Sequence, residues 1–386
     1  MQRNFRVRGV PLDWDTNHLQ GFLAEQEPST DPVVESLASE IDGRSRTATA
    51  TFGNIPSRLQ TPGQTWSILL PKPPENPSAR KQYLILDDSF AGITTLYSPP
   101  STDYAVDLIA LSGLGGHAFG SFKERGGDYM WLRDALPYDI THKDTNDPMV
   151  RVMIYGYDSH VADSTSMQNL EDLATSFHNS LLPLTKAPTM KPIILVAHSL
   201  GGLITKETLV FLSKSKNEDN AKLVQAVYGI VFFGVPHNGM NISSLIPMVG
   251  DQPNRFLVES LSHENSQVLS TLQREFPKSL GEEGEKEIVC FFETERHTLT
   301  GAQDENGKWT MTGSPAILVT KSSATHCRQW EQGPEHICAV ARTHSNMVKF
   351  APQDNEYDKV CARLEGLAQR AIQRGWKMRD PDVKCT

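Results

Sequence analysis

Residues 193–203 read I-I-L-V-A-H-S-L-G-G-L. A strand-like apolar run ends on a serine and passes at once into paired glycines and the helical pattern G-G-L-I-T-K-E-T-L-V-F-L. Ala197-His198-Ser199-Leu200-Gly201 fits the G-x-S-x-G nucleophile elbow, with alanine in the first glycine position. The elbow turns sharply so that the serine Oγ projects above a sheet. Its neighbours must be small because strand and helix backbones approach closely there.

Outward from the elbow, short apolar runs recur at V-D-L-I-A-L-S (106–112), V-R-V-M-I-Y-G (150–156), P-I-I-L-V-A (192–197) and Y-G-I-V-F-F-G-V (228–235). They continue at E-I-V-C-F-F (287–292) and A-I-L-V-T (316–320), the last one expected. Runs apolar on both faces, separated by helical stretches, predict a mostly parallel central sheet covered on both sides. Ligands of such α/β sheets bind at the carboxyl ends of the strands.

An elbow serine needs an acid and a histidine later in the chain, in that order. Glu293 follows E-I-V-C-F-F, and His344 lies in R-T-H-S-N-M-V-K-F beyond the last expected strand. The resulting assignment is an α/β-hydrolase fold with Ser199 as nucleophile, His344 as base and Glu293 as the acid that orients it. Glu295 is the alternative acid, less favoured because Glu293 abuts its strand. His326 and His336 also follow the last expected strand, and order alone does not separate them from His344. His237 precedes the acid and is read, with Gly113, His117 and His198, as a pocket-lining candidate.

Gly113-Leu114-Gly115-Gly116-His117 follows the 106–112 strand, where the backbone N–H groups of Leu114 and Leu200 are expected to form an oxyanion hole. The same stretch satisfies G-x-G-x-x-A, a dinucleotide fingerprint. That motif requires an immediate helix, whereas F-G-S-F-K-E-R-G-G-D is loop-like. An insertion over 238–286, with Leu261, Val268, Leu272 and Phe276 near helical spacing, is expected to be mostly core and partly a cap over the acyl pocket.

Ahead of this domain (83–378) the order strand, helix, strand, strand over residues 1–62 predicts a small α+β, ferredoxin-like unit resembling an RNA-recognition motif. Its third strand, Arg46-Thr47-Ala48-Thr49-Ala50-Thr51-Phe52, carries small residues where stacking aromatics would sit, so no nucleic acid is expected and a docking role, partner unknown, is the simpler reading. A proline-rich linker is expected over 63–82 and a tail over 379–386.

The net charge of −9 disfavours bulk affinity for phosphate backbones or anionic membranes. With no apolar run long enough to span a bilayer and no secretory core in M-Q-R-N-F-R-V-R-G, an intracellular, cytoplasmic chain is expected, compatible with peripheral membrane contact. The 5 widely spaced cysteines fit reduced thiols. His326-Cys327 and His336-x-Cys338 match no common zinc spacing, so no metal and no cofactor are expected.

The ordered blocks G-L-G-G-H-A-F-G-S-F, M-W-L-R-D-A-L-P, Y-G-Y-D-S, A-H-S-L-G-G-L, F-F-G-V-P-H-N-G, F-F-E-T and H-S-N-M-V-K-F resemble the serine-active-site-containing protein family of lipase-like hydrolases. The resemblance is to the fungal type, whose members occur alone or at the front of nucleotide-binding, immune-receptor-like proteins, and it implies a fungal chain. The resemblance spans about residues 84–375. It implies Ser199 as nucleophile and His344 as base, and its F-F-E-T block favours Glu293. Ala197 replaces the family's glycine, Ser112 a histidine and Thr343 an aspartate. The expected chemistry is cleavage of a small-molecule or lipid carboxylic ester through an acyl-enzyme. Acyl transfer or thioester cleavage by the same triad is the neighbouring alternative, and a non-catalytic scaffold is the third.

Overall fold

The structure is a computed structural model that describes residues 3–71, 80–100, 104–187, 190–263, 266–281, 285–299, 303–305, 309–310, 312–327 and 333–379. The chain opens with β1 (Phe5–Val10), the helix Thr16–Gln26, β2 (Pro32–Ser39), β3 (Arg46–Phe52), β4 (Thr65–Leu69) and β5 (Tyr83–Asp87). These strands form an antiparallel sheet in the order β2-β3-β1-β5-β4. Alternation sends Phe5, Val7, Ala48, Ala50 and Phe52 to the helix side, where Leu19 and Leu23 meet them. Asp15 starts the helix by accepting from the His18 N–H at 2.7 Å.

The strand-helix-strand-strand opening is as expected, but the unit does not stop at residue 62. Thr65–Leu69 is a strand within the stretch read as a linker, and Tyr83–Asp87, read as the start of the second domain, lies between β1 and β4. The backbone hydrogen bonds of β1 need a partner on each side, and β5 supplies the second. Residues 72–79 of the proline-rich stretch and 380–386 of the tail lie outside the described residues.

The second sheet contains β6 (Gly92–Tyr97), β7 (Val106–Leu111), β8 (Val150–Gly156), β9 (Ile193–His198), β10 (Val227–Phe233) and β11 (Glu287–Glu293). After a two-strand ladder of β12 (His297–Thr298) and β13 (Pro315–Ala316) comes its last strand, β14 (Ile337–Val340). The order is β14-β11-β10-β9-β7-β8-β6, parallel except for β6, so the fold is that of an α/β-hydrolase. Residues 316–320 are not a strand of this sheet. The true last strand is the short I-C-A-V segment, half-exposed at the end of the sheet and therefore without a strong apolar signature.

Period-two alternation explains why these strands are apolar throughout. In β9, Ile193, Leu195 and Ala197 face one core with the helices Leu170–Leu181, Leu200–Lys214 and Gln267–Ser279. Ile194 and Val196 face another with Trp131, Phe350 and the helix Asn355–Arg379. The 238–286 insertion contributes the helix Gln267–Ser279, which buries Leu269, Leu272 and Phe276.

The two sheets are joined by buried polar chemistry. Arg6 donates to Asp87 from Nε (3.0 Å) and Nη2 (2.8 Å), and from Nη1 to the Ala91 carbonyl (2.8 Å) and Thr94 Oγ1 (3.0 Å). Arg133 reaches Glu35 at 3.3 Å and Thr49 Oγ1 at 3.4 Å. The sheet face that an RNA-recognition motif would offer to bases thus carries Arg6, Thr47, Thr49 and Thr51, all buried in the intact chain.

Arg6→Met should leave the Asp87 carboxylate buried without its counter-ion, a loss of about 3–5 kcal/mol. A urea unfolding curve checks this, and an unchanged midpoint would show that the pair contributes nothing.

Candidate active site

The carboxyl ends of β7, β9, β10, β11 and β14 converge on one rim of the sheet. At the end of β9 the chain enters Ser199 with φ 51° and ψ −122°, a conformation that costs a non-glycine residue about 1–3 kcal/mol. Its N–H donates to the Phe233 carbonyl at 2.9 Å, which anchors the turn to β10. The helix Leu200–Lys214 begins immediately, and glycine is required where it does. A methyl on Gly201 would lie 2.5 Å from the Ser112 carbonyl oxygen, and one on Gly202 would lie 2.2 Å from Val235 Cγ2. Ala197 keeps its methyl within the core at no exposure, so this elbow accommodates alanine before the serine.

Ser199 is the N-cap of that helix yet makes no capping hydrogen bond through its side chain. An N-cap serine ordinarily accepts from the first turn. Here the hydroxyl is left for other chemistry, and among the described residues the Leu200 N–H donates to no protein acceptor. The Leu114 N–H is in the same condition. Its loop is fixed by groups that the sequence reading left unassigned: Tyr157 OH donates to the Ser112 carbonyl (2.8 Å), the Gly115 N–H donates to the Ser159 carbonyl (2.6 Å), and Ser159 Oγ donates to the Gly116 carbonyl. The block Y-G-Y-D-S was their visible signal. Gly113 is needed for close approach, since a methyl there would lie 2.8 Å from Ser199 Cβ. No helix follows this loop until Trp131–Asp134, unlike a dinucleotide-binding turn.

His344 and Glu293 are in contact, with Nδ1 donating to Oε2 at 2.5 Å. Glu293 Oε1 accepts from the Leu318 and Val319 N–H groups at 2.7 and 3.2 Å. The segment expected as the last strand therefore serves as the clamp on this carboxylate. Glu295 is exposed. His326 and His336 both precede β14, so chain topology separates them from His344 where chain order did not. His326 is exposed, and His336 Nδ1 pairs with the Ile288 carbonyl near the opposite end of β11.

His344 comes to the elbow by two routes. Its carbonyl accepts from His198 Nε2 at 2.9 Å, with the rings 4.9 Å apart. Its ring lies over Gly234, where a methyl would come within 2.9 Å of Nδ1. The Ser199 hydroxyl itself forms no hydrogen bond with His344 among the described residues. Thr343 presents a buried hydroxyl without a partner.

The other pocket-lining candidates fall elsewhere. His117 donates from Nε2 to the Asp88 carbonyl (2.6 Å) and accepts the Gly120 N–H at Nδ1 (3.0 Å), tying the Gly113–His117 loop to the amino-terminal unit. His198 is buried behind the elbow. His237 is fully buried and faces Lys206. A cleft of about 510 Å³ borders the His344 loop, lined by Gly120, Arg125, Ser345, Asn346 and Lys349 and, from the amino-terminal unit, Arg3. His297 stands near the pair, its imidazole held below its ordinary pKa by burial and by His344.

No protein-family model matches the chain. It is 27% identical over 206 residues to protein SERAC1 of Bos taurus, covering 49% of this chain and 30% of that protein. It is 30% identical over 153 residues to SERAC1 of Danio rerio, covering 34% and 22%. The chain thus spans less than a third of the curated relatives it matches. These relatives are animal proteins and give no support to the fungal attribution. Among solved structures it resembles YbtT, a type II thioesterase from the yersiniabactin pathway, at TM-score 0.40 and 15% identity, covering 73% of this chain and 100% of that one. It also resembles the Bacillus licheniformis lipase BlEst2 in propeptide form, at TM-score 0.41 and 13% identity, covering 70% and 53%.

Burial and the neighbouring His344 hold the His198 imidazole well below its ordinary value of 6.5. The unfolded chain therefore binds a proton below about pH 6.5 that the folded chain does not. Stability contributed this way is intact above that pH and falls as pH decreases, by up to about 1.4 kcal/mol per pH unit for this group. Unfolding midpoints measured from pH 7.5 downward should show a shallower decline in His198→Asn. Equal slopes would contradict it.

Proposed function

We propose that this chain is a serine hydrolase that cleaves a carboxylic ester, of a small molecule or a lipid, through an acyl-enzyme on Ser199. The observation that carries this reading is the buried His344–Glu293 pair, whose carboxylate is held by 2 further backbone donors. A carboxylate so fixed orients the imidazole with Nδ1 protonated, leaving Nε2 as the proton acceptor.

Ser199 Oγ attacks the acyl carbon and its proton passes to His344 Nε2. The carbonyl electron pair moves to oxygen, facing the Leu114 and Leu200 N–H groups. Collapse of this intermediate expels the alcohol, which takes the proton from His344. Water then repeats the sequence, releasing the acid and restoring Ser199. No helix among the described residues is long and apolar enough to cross a membrane.

A fluorophosphonate probe should label Ser199, as located by peptide mapping, and Ser199→Ala should abolish labelling. Modification at any other residue removes the assignment. On p-nitrophenyl esters, Glu293→Gln should lower kcat by about 10⁴-fold, the scale of a triad carboxylate. Glu295→Gln and His326→Ala should retain most of the activity, and a comparable loss in either would overturn the choice of acid or base.

A further inference from the structure

Behind the triad, on the helix side of the sheet, four nitrogen- and sulfur-bearing side chains meet in the interior. His237 follows β10, Cys290 lies in β11 ahead of Glu293, and Cys327 follows the helix Lys321–Thr325. One ring nitrogen of His237 and the two Sγ atoms all lie within 4.8 Å of one another. The residues are 0%, 4% and 6% exposed. Lys206, 1% exposed, places Nζ 3.3 Å from His237 Nδ1.

A buried imidazole should have both nitrogens engaged, because each one left unsatisfied costs about 1–3 kcal/mol. His237 Nε2 is buried and has no hydrogen-bond partner. The surroundings offer it no water-like environment: Phe232 sets its ring edge-on at 5.0 Å, and Phe276 lies under Lys206 Nζ at 5.0 Å. Two thiols and an imidazole are the donor set that a thiophilic divalent cation selects, and with three protein ligands the fourth position is left to a small ligand from solution.

We propose that His237 Nε2, Cys290 Sγ and Cys327 Sγ bind a single zinc-class ion. Ligation through Nε2 places the ring proton on Nδ1, where the Lys206 amine, 3.3 Å away, accepts it as an uncharged group and so orients the ring. Binding displaces the two thiol protons to solvent and leaves two thiolates on the ion.

The centre is structural and acts at a distance from the reacting atoms. It ties three segments that hold the Glu293 clamp. The loop after β10 is already linked to the helix Lys321–Thr325, since Ser323 Oγ donates to the Gly239 carbonyl (2.7 Å) and accepts the Asn238 N–H (3.1 Å). That helix directly follows Leu318 and Val319, whose N–H groups hold Glu293. The ion adds a third point, on β11 itself. No local ligand spacing announces it, because each ligand comes from a different segment. It also differs from the His326-Cys327 and His336-x-Cys338 pairs that draw the eye in the sequence.

The test is elemental analysis of the full chain, purified without chelator and freed of any affinity tag. About one zinc per chain is expected. Metal-free protein titrated with cobalt(II) should develop a thiolate-to-cobalt charge-transfer band that saturates at an equimolar ratio. Cys290→Ser and Cys327→Ser should lose both signals, and Cys338→Ser should keep them. Should the serine variants fail to fold, the cobalt spectrum of the unaltered chain decides alone. A chain that carries no zinc and develops no charge-transfer band overturns the proposal, as does a mass showing Cys290 and Cys327 joined as a disulfide.

Discussion

A carboxylate without solvent contact stays charged in a protein interior only if donors converge on it, and the desolvation it must offset is several kcal/mol. The side chain of Glu293 has no exposure at all. Its oxygens are matched by His344 Nδ1 on one side and by the Leu318 and Val319 N–H groups on the other. Much of the carboxyl-terminal third of the chain can be understood from this requirement. The chain leaves β11, travels out through the β12–β13 ladder, and returns to deliver two backbone donors. It then forms β14 and presents the histidine from the loop beyond.

The serine side of the site is governed by a different constraint, the absence of room. Ser199 adopts a positive φ, and the adjoining helix and the Gly113–His117 loop press against it closely enough that Gly113, Gly201 and Gly202 have no space for a methyl. Crowding of this kind over-determines the backbone, which is how a strained residue persists. Hydrogen bonds from Tyr157 and Ser159 brace the loop from outside, so the turn is held from every side except the one that faces solvent. Glu293 and Ser199 are thus positioned by opposite means, one by polar satisfaction and the other by packing.

The parts of this arrangement that the sequence made legible are those that repeat a physical pattern. Strands buried on both faces read as continuous apolar runs, and the elbow reads as a strand broken by a serine and glycines. The short I-C-A-V strand carries little apolar signature because it ends the sheet and is half-exposed, while A-I-L-V-T reads as a strand although Val319 and Leu318 pack with the helix-side core rather than within the sheet. Y-L-I-L-D reads as the start of the second unit because the prolines ahead of it look like a boundary, although its backbone pairs with β1. The block Y-G-Y-D-S is visible in the sequence, but the role of Tyr157 and Ser159 is not, because both act on backbone carbonyls. The separation of His344 from His326 and His336 depended on where the last strand begins, so an error about one strand carried over into the choice among histidines.

The position of β6 has a further consequence. It is the antiparallel strand that ends the seven-stranded sheet, next to the segment where the amino-terminal unit packs. A terminal strand exposes a row of unpaired backbone groups that invites pairing with another chain. In this molecule β2 and β3 lie against it, and Arg6 donates to Thr94 within it. Whatever else the amino-terminal unit does, it lies against that strand, so its loss would leave β6 as an open edge as well as removing the Asp88 carbonyl that holds His117. A chain trimmed to begin near Gly92 would keep every residue of the candidate triad and still be prone to edge-to-edge self-association.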